Sequence, residues 1–219
     1  MSFDNESVAG ALHGVRDRIS RAGGGFEVAI LPVTKSFGPE AIAAVQAAGF
    51  TAVGENYVQE VLSKADVLRG VSLHFIGQLQ TNKVRQLAGR VALYETVDRL
   101  RLVDEIARRD AGARVLLQVE TADVAGKGGC PLGDLDNLFQ AAIQAGLHVD
   151  GLMTVGPTEG GPEAARHGFR SVRHAVDRLQ LSVCSMGMSA DLEVAVQEGS
   201  TQVRIGTALF GARAVRTVA

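Results

Sequence analysis

Apolar residues in this chain come in short runs. Each run is followed by a polar or glycine-bearing turn, then by a stretch of helical spacing that stops near a glycine. The first segment stands apart. Asn5 to Arg21 places Val8, Leu12, Val15 and Ile19 three or four residues apart, which predicts a leading amphipathic helix. Glu27 to Val33 then reads as a first strand. Pro39 suits the first turn of a helix that runs through Ala41–Ala48 to Gly49. Further strands are predicted at Thr51–Val53, Leu73–Ile76, Ala92–Thr96, Arg114–Val119, Val149–Met153, Leu181–Ser185 and Gln202–Ile205. The helices between them fall near Val58–Leu68, Asn82–Leu87, Arg99–Arg109 (with Asp98 as its cap), Leu135–Ala145, Pro162–Leu179 and Ala190–Glu198.

Strands that alternate with helices build a parallel sheet covered by helices, and eight strands is the number that closes a TIM-type (β/α)8 barrel. An open doubly wound sheet shows the same alternation. No low-complexity linker or composition break divides residues 1–219, so one α/β domain is expected. In either architecture the chemistry belongs at the C-terminal ends of the strands.

Composition narrows the function classes. The 219 residues are 46% apolar and 21% charged, with a net charge of −2, a balance that asks for neither nucleic acid nor an anionic membrane. The apolar runs are too short to span a bilayer, and Met1–Ala22 lacks the apolar centre of a signal peptide, so a cytoplasmic protein is expected. Cys130 and Cys184 fit a reducing compartment better than a disulfide. The histidines and cysteines show no metal-ligand spacing, and no metal is expected.

The strand ends carry unusual chemistry. Lys35 follows an almost uniformly apolar strand. A lysine aimed into a barrel mouth is desolvated and can attack a carbonyl; position alone favours the other reading, a lysine that snorkels to solvent. Gly206-Thr207 follows the last strand, where backbone N–H groups beside a hydroxyl could hold an anion, and Ser185-Met186-Gly187 after the seventh strand could add a second hydroxyl. Taken alone, Gly206 and Gly211 read at least as well as ordinary turn residues. Arg204 lies inside the last strand, where it needs either a ligand or an ion pair with a carboxylate such as Glu55 or Glu120. Gly126-Lys127-Gly128-Gly129 lacks the upstream glycine and following hydroxyl of a P-loop. Cys184 reads as a small buried hydrophobe, and Asn82, Lys83 and Arg85 as a solvated helix face.

Six stretches together resemble one family, the pyridoxal phosphate homeostasis proteins. They are Val33-Thr34-Lys35, Gly54 to Glu60 (GENYVQE), His74 to Lys83 (HFIGQLQTNK), Thr96 to Leu100 (TVDRL), Ser185 to Asp191 (SMGMSAD) and Val203 to Arg213 (VRIGTALFGAR), in family order over nearly the whole chain. The resemblance implies a fold-type III protein like the N-terminal barrel domain of alanine racemase, with pyridoxal 5′-phosphate (PLP) as cofactor. It implies Lys35 as the Schiff-base lysine, Ser185, Gly206 and Thr207 at the phosphate with Gly187 beside them, Arg204 at the pyridine nitrogen, and Asn56 and Met186 lining the pocket. Thr34 replaces the usual serine and keeps the hydroxyl, while the glycine-rich segment Met153 to Pro162 looks shorter than in the family.

Catalysis by PLP usually needs a protonated pyridine nitrogen as electron sink. An arginine there is always charged and only donates, which weakens the sink. Racemases that share the barrel draw a tyrosine from an added C-terminal domain, whereas this chain stops at Ala219 and holds only Tyr57 and Tyr94. The expectation is therefore a monomeric carrier or regulator in PLP and amino-acid homeostasis, without catalytic residues, with PLP-dependent apoenzymes as recipients. The alternatives are a compact amino-acid racemase acting through Lys35, and a barrel that binds another phosphorylated metabolite.

Overall fold

A computed structural model describes residues 5–121 and 128–211. Its elements run α1 (Asn5–Arg21), β1 (Ala29–Pro32), α2 (Pro39–Ala47), β2 (Ala52–Glu55), α3 (Val58–Ser63), β3 (Ser72–Phe75), α4 (Val84–Leu87), β4 (Leu93–Val97), α5 (Leu100–Arg109) and β5 (Arg114–Glu120). They continue with β6 (Cys130–Pro131), α6 (Leu135–Gln144), β7 (His148–Met153), α7 (Arg166–Arg178), β8 (Val183–Ser185), α8 (Leu192–Gln197), β9 (Gln202–Ile205) and α9 (Thr207–Phe210). The two-residue β6 pairs with the end of β5 and stands outside the main path.

The remaining eight strands are parallel and follow the order β1-β9-β8-β7-β5-β4-β3-β2. A parallel bridge from Val33 to Gly54 brings the ends of that path together, with the Thr34 N–H donating to the Gly54 carbonyl at 3.0 Å. The sheet is thus a nearly closed barrel, as eight alternating units predict, and not the open doubly wound alternative.

Strand alternation separates two interiors. Outward residues such as Val53, Phe75, Val115, Leu117, Val203 and Ile205 join helix residues in one large apolar core. Inward residues form a much smaller apolar cluster of Leu93, Leu116 and Met153, with Val155 and Val183 against it. The leading helix buries Val8, Val15 and Ile19 and packs on α2, α8 and α9. Because α9 is a single turn, α1 supplies apolar cover that a full helix after β9 would otherwise give.

Several element ends differ from the sequence expectation. Asp98 does not cap α5. Arg99 holds the cap position in extended geometry, and the Asp98 carboxylate instead takes the Arg99 guanidinium and the Gly129 N–H. The helix expected over Val58–Leu68 stops at Ser63, where the Lys64 side chain turns inward to two carboxylates. Helices expected to start at Asn82 and Pro162 open with 3₁₀ turns over Thr81–Lys83 and Pro162–Ala165. Gly128-Gly129 leads into β6 and not into a helix, while Gly126 and Lys127 lie outside the described residues, as do Ala212 and Arg213. Both cysteines are free and buried. No helix among the described residues is long and apolar enough to cross a membrane.

Candidate functional site

A cavity of about 640 Å³ opens where the strands end. Lys35, Asn56, Arg204, Gly206 and Thr207 all line it, brought together from the ends of β1, β2 and β9. Gln78, Thr96 and Gln118 add neutral polar wall, Ile76, Met153 and Val155 apolar wall, and Tyr57 and Met188 sit half-exposed at the mouth. The charged side chains on this wall are two cations; no carboxylate lines it among the described residues. An anionic ligand is what such a wall selects.

Arg204 is buried on the cavity floor at 4% exposure, and its guanidinium is locked. One terminal nitrogen donates to the Ser185 carbonyl at 2.7 Å and to the Ser185 hydroxyl at 2.8 Å; the other donates to the Thr154 carbonyl at 2.7 Å. Burial pushes the guanidinium down from its ordinary value, and Glu95 and Asp191 oppose that shift. The carboxylates suggested by sequence, Glu55 and Glu120, are not its partners. Glu55 faces Lys64 on the outer side of the sheet, and Glu120 is exposed.

Glu95 is the hub beneath this floor. It accepts the His74 ring N–H at 2.7 Å and the Gln202 amide at 2.8 Å on one oxygen, and the Ser185 hydroxyl at 2.8 Å on the other. Burial would raise this carboxyl, but the His74 hydrogen bond, the charges of His74 and Arg204, and the Ser185 hydroxyl hold it below the usual carboxylate range. A buried charge is tolerable only when it is fully hydrogen-bonded in this way.

Ser185, Met186 and Gly187 do not line this cavity. The Ser185 hydroxyl is buried and engaged by Glu95, Gln202 and Arg204. Met186 is fully buried with its sulfur 3.6 Å from Cys184. Gly187 turns the chain at φ +95°, where a Cβ would lie 2.4 Å from Ala195, and its carbonyl takes the Arg204 N–H. Met188, Ser189 and Ala190 form the wall in their place, and the Ser189 hydroxyl accepts the Ala208 N–H beside Gly206-Thr207. Ser189 and Glu95 were both missed in the sequence. An acid inside the apolar strand Leu93–Val97 was the available signal for Glu95, the same one that marked Arg204. One buried polar atom on the wall has no protein partner: the side-chain oxygen of Asn56. Among the described residues no group of histidine, cysteine and carboxylate side chains could hold a metal.

Comparison with known proteins places this geometry. The profile of the alanine racemase N-terminal domain matches residues 12–214. A pyridoxal phosphate homeostasis protein of Aquifex aeolicus is 40% identical over 222 residues, covering 95% of this chain and 97% of its own. One from Pseudomonas aeruginosa is 40% identical, with 97% of each chain covered. Among solved structures, PipY of Synechococcus elongatus, determined with PLP bound, superposes with a TM-score of 0.81 at 30% identity, covering 93% of this chain and all of that one. The chain belongs to the pyridoxal phosphate homeostasis protein family, built on the alanine racemase N-terminal domain.

Proposed function

We propose that this chain binds PLP in the cavity, holds it as a Schiff base on Lys35, and serves PLP (vitamin B6) and amino-acid homeostasis without committed turnover. The observation that carries the proposal is the pairing of Lys35 and Arg204 on a wall without carboxylates. An aldehyde bearing a phosphate and a pyridine ring matches that wall group by group. Lys35 would hold the aldehyde carbon through its amine, with loss of water. The Gly206-Thr207 turn and the Ser189 hydroxyl offer donors for the phosphate, and the unpartnered Asn56 oxygen can accept a hydrogen bond from the ring substituents. Bound PLP would supply an electrophilic aldehyde and an electron sink.

Arg204 supports holding over turnover. Its guanidinium cannot give up a proton, so it would hold a ring nitrogen only as an acceptor. Its terminal nitrogens are tied to Ser185 and Thr154, which leaves it no freedom to exchange roles. Tyr57 lines the cavity, whereas Tyr94 points away from it and donates to Asp110 at 2.8 Å. A racemase would act through Lys35 and a second acid-base group; Tyr57 is the tyrosine on this wall, and conversion of L- to D-alanine abolished by Tyr57→Phe would favour that reading. PLP-dependent apoenzymes are the recipients that the carrier role implies, and a cytoplasmic monomer is its simplest form. Equilibrium dialysis tests the proposal: PLP uptake should be saturable and should fall in Lys35→Ala. Wild-type protein that takes up no PLP would refute it.

A further inference from the structure

Lys35 stands beside the seam that closes the barrel. β1 and β2 share no extended ladder; the bridge from Val33 to Gly54 joins them. A cluster of buried charge lies across that seam. The Lys64 amine, 5% exposed, donates to the Thr34 carbonyl at 3.0 Å, to Glu55 at 2.8 Å and to Glu60 at 2.9 Å. The Thr34 hydroxyl donates to the same Glu55 oxygen at 2.7 Å. Glu60 accepts the Ser36 N–H at 2.8 Å. Both chain neighbours of Lys35 are thus gripped by one triad from β2, α3 and the α3 C-terminus.

The grip on Ser36 has a conformational purpose. Ser36 adopts φ +65°, a left-handed geometry that a residue with a Cβ reaches only against a steric penalty. The Glu60 carboxylate on its N–H offsets that penalty, because a charge-assisted hydrogen bond is stronger than a neutral one. A buried ammonium with two carboxylates is an expensive way to fill space, and apolar side chains of similar volume would pack as well. What apolar side chains could not do is hold the Thr34 carbonyl and the Ser36 amide at once.

We propose that the Glu55–Lys64–Glu60 triad is a positioning device for Lys35. It staples the end of β1 to β2 and α3, fixes the backbone on both sides of Lys35, and so aims its amine into the cavity opposite Arg204. The proposal rests on Lys35 being the amine that takes the aldehyde. Arg204 and the Gly206-Thr207 turn lie on the β9 side and do not depend on the triad.

Two ligands separate positioning of Lys35 from general damage. Pyridoxine 5′-phosphate keeps the ring and phosphate of PLP but carries an alcohol in place of the aldehyde, so it cannot bond to Lys35. Glu60 sits at the rim of the triad at 26% exposure, and its removal leaves the Lys64–Glu55 pair in place. Glu60→Ala should weaken PLP binding about tenfold, the loss expected for one charge-assisted hydrogen bond, and change pyridoxine 5′-phosphate binding by less than about twofold. Glu60→Gln, which keeps an acceptor for the Ser36 N–H, should recover most of the PLP affinity. Equal weakening of both ligands, or unchanged PLP affinity, overturns the positioning role. Should Glu60→Ala fail to fold, the same two-ligand comparison on Glu60→Met, which keeps the side-chain volume but has no oxygen for the Ser36 N–H, decides: selective loss for PLP supports the role, and equal or no loss overturns it. A wild-type protein that binds both ligands with equal strength would instead strike at Lys35 itself.

Discussion

The Ser185 hydroxyl donates to Glu95 at 2.8 Å inside the barrel, and that bond turns a strand-end serine away from the cavity it was expected to serve. The same oxygen accepts from Arg204 at 2.8 Å. Ser185 therefore links the Glu95 carboxylate to the Arg204 guanidinium, so the cation on the cavity floor is held from below and presented to whatever binds above.

Two serines should accordingly separate in effect. Ser185→Ala removes bonds to Glu95, Gln202 and Arg204 and should lower folding stability by about 2 kcal/mol, the range for leaving buried polar groups unsatisfied. Ser189→Ala touches the cavity wall and should weaken PLP binding with little change in stability. Urea unfolding and PLP titration of both variants check this. Ser185→Ala with native stability and weakened PLP binding would restore the serine to the phosphate.

Glu95 gives the fold an acid-sensitive element. Its folded-state pKa is held low, so its contribution is complete above the ordinary glutamate value of about 4.3 and is lost as pH falls through the lowered folded value. Glu55 works with the opposite sign. Burial raises it, so the fold binds its proton more tightly than the unfolded chain does, and its contribution declines as pH rises through the folded value. Glu95→Gln should cost about 3 kcal/mol at neutral pH, because it removes one of the two carboxylates, with Asp191, that offset the buried charge of Arg204, and should flatten the fall of the urea midpoint on acidification below the ordinary glutamate value. Parallel acid limbs in the two proteins would show that Glu95 does not carry this dependence.

Gly77 packs against the backbone of Asn56, a cavity-lining residue. A Cβ at Gly77 would lie 1.9 Å from the Asn56 carbonyl oxygen, a backbone atom that cannot swing aside. Gly77→Ala should destabilise the fold by about 2 kcal/mol or more and weaken ligand binding with it, since Asn56 must move. Thermal unfolding together with PLP titration measures both. A variant that melts and binds like wild type would mean that Asn56 is not held as described.

The barrel was legible in the chain because each unit repeats one pattern and each strand is bounded by turn residues. Lys35, Arg204, Gly206 and Thr207, which line the cavity, stood out in position but were assigned roles only through the family resemblance. Glu95 was not found, although it breaks the same pattern inside β4. The polar layer inside the barrel depends on strand register, which puts Ser185 beside Gln202 and leaves His74 and Glu95 facing the axis. Register is not written in a single strand, so Arg204 was matched to the wrong carboxylates. Ser185 and Ser189 also lie four residues apart on one turn, and only the positive φ of Gly187 decides which of them meets the cavity. Closure at Val33 and Gly54 rests on a single bridge, and nothing in either strand alone foretells it.

The covalent bond to Lys35 can be read directly in the visible spectrum. The most direct measurement is the visible spectrum of the purified protein with added PLP, before and after borohydride, followed by peptide mapping. The protein should be yellow and lose its colour with borohydride, with one pyridoxyl group fixed to Lys35 and none fixed in Lys35→Ala. A protein that stays colourless with PLP, or one whose pyridoxyl group maps to another lysine, would contradict it.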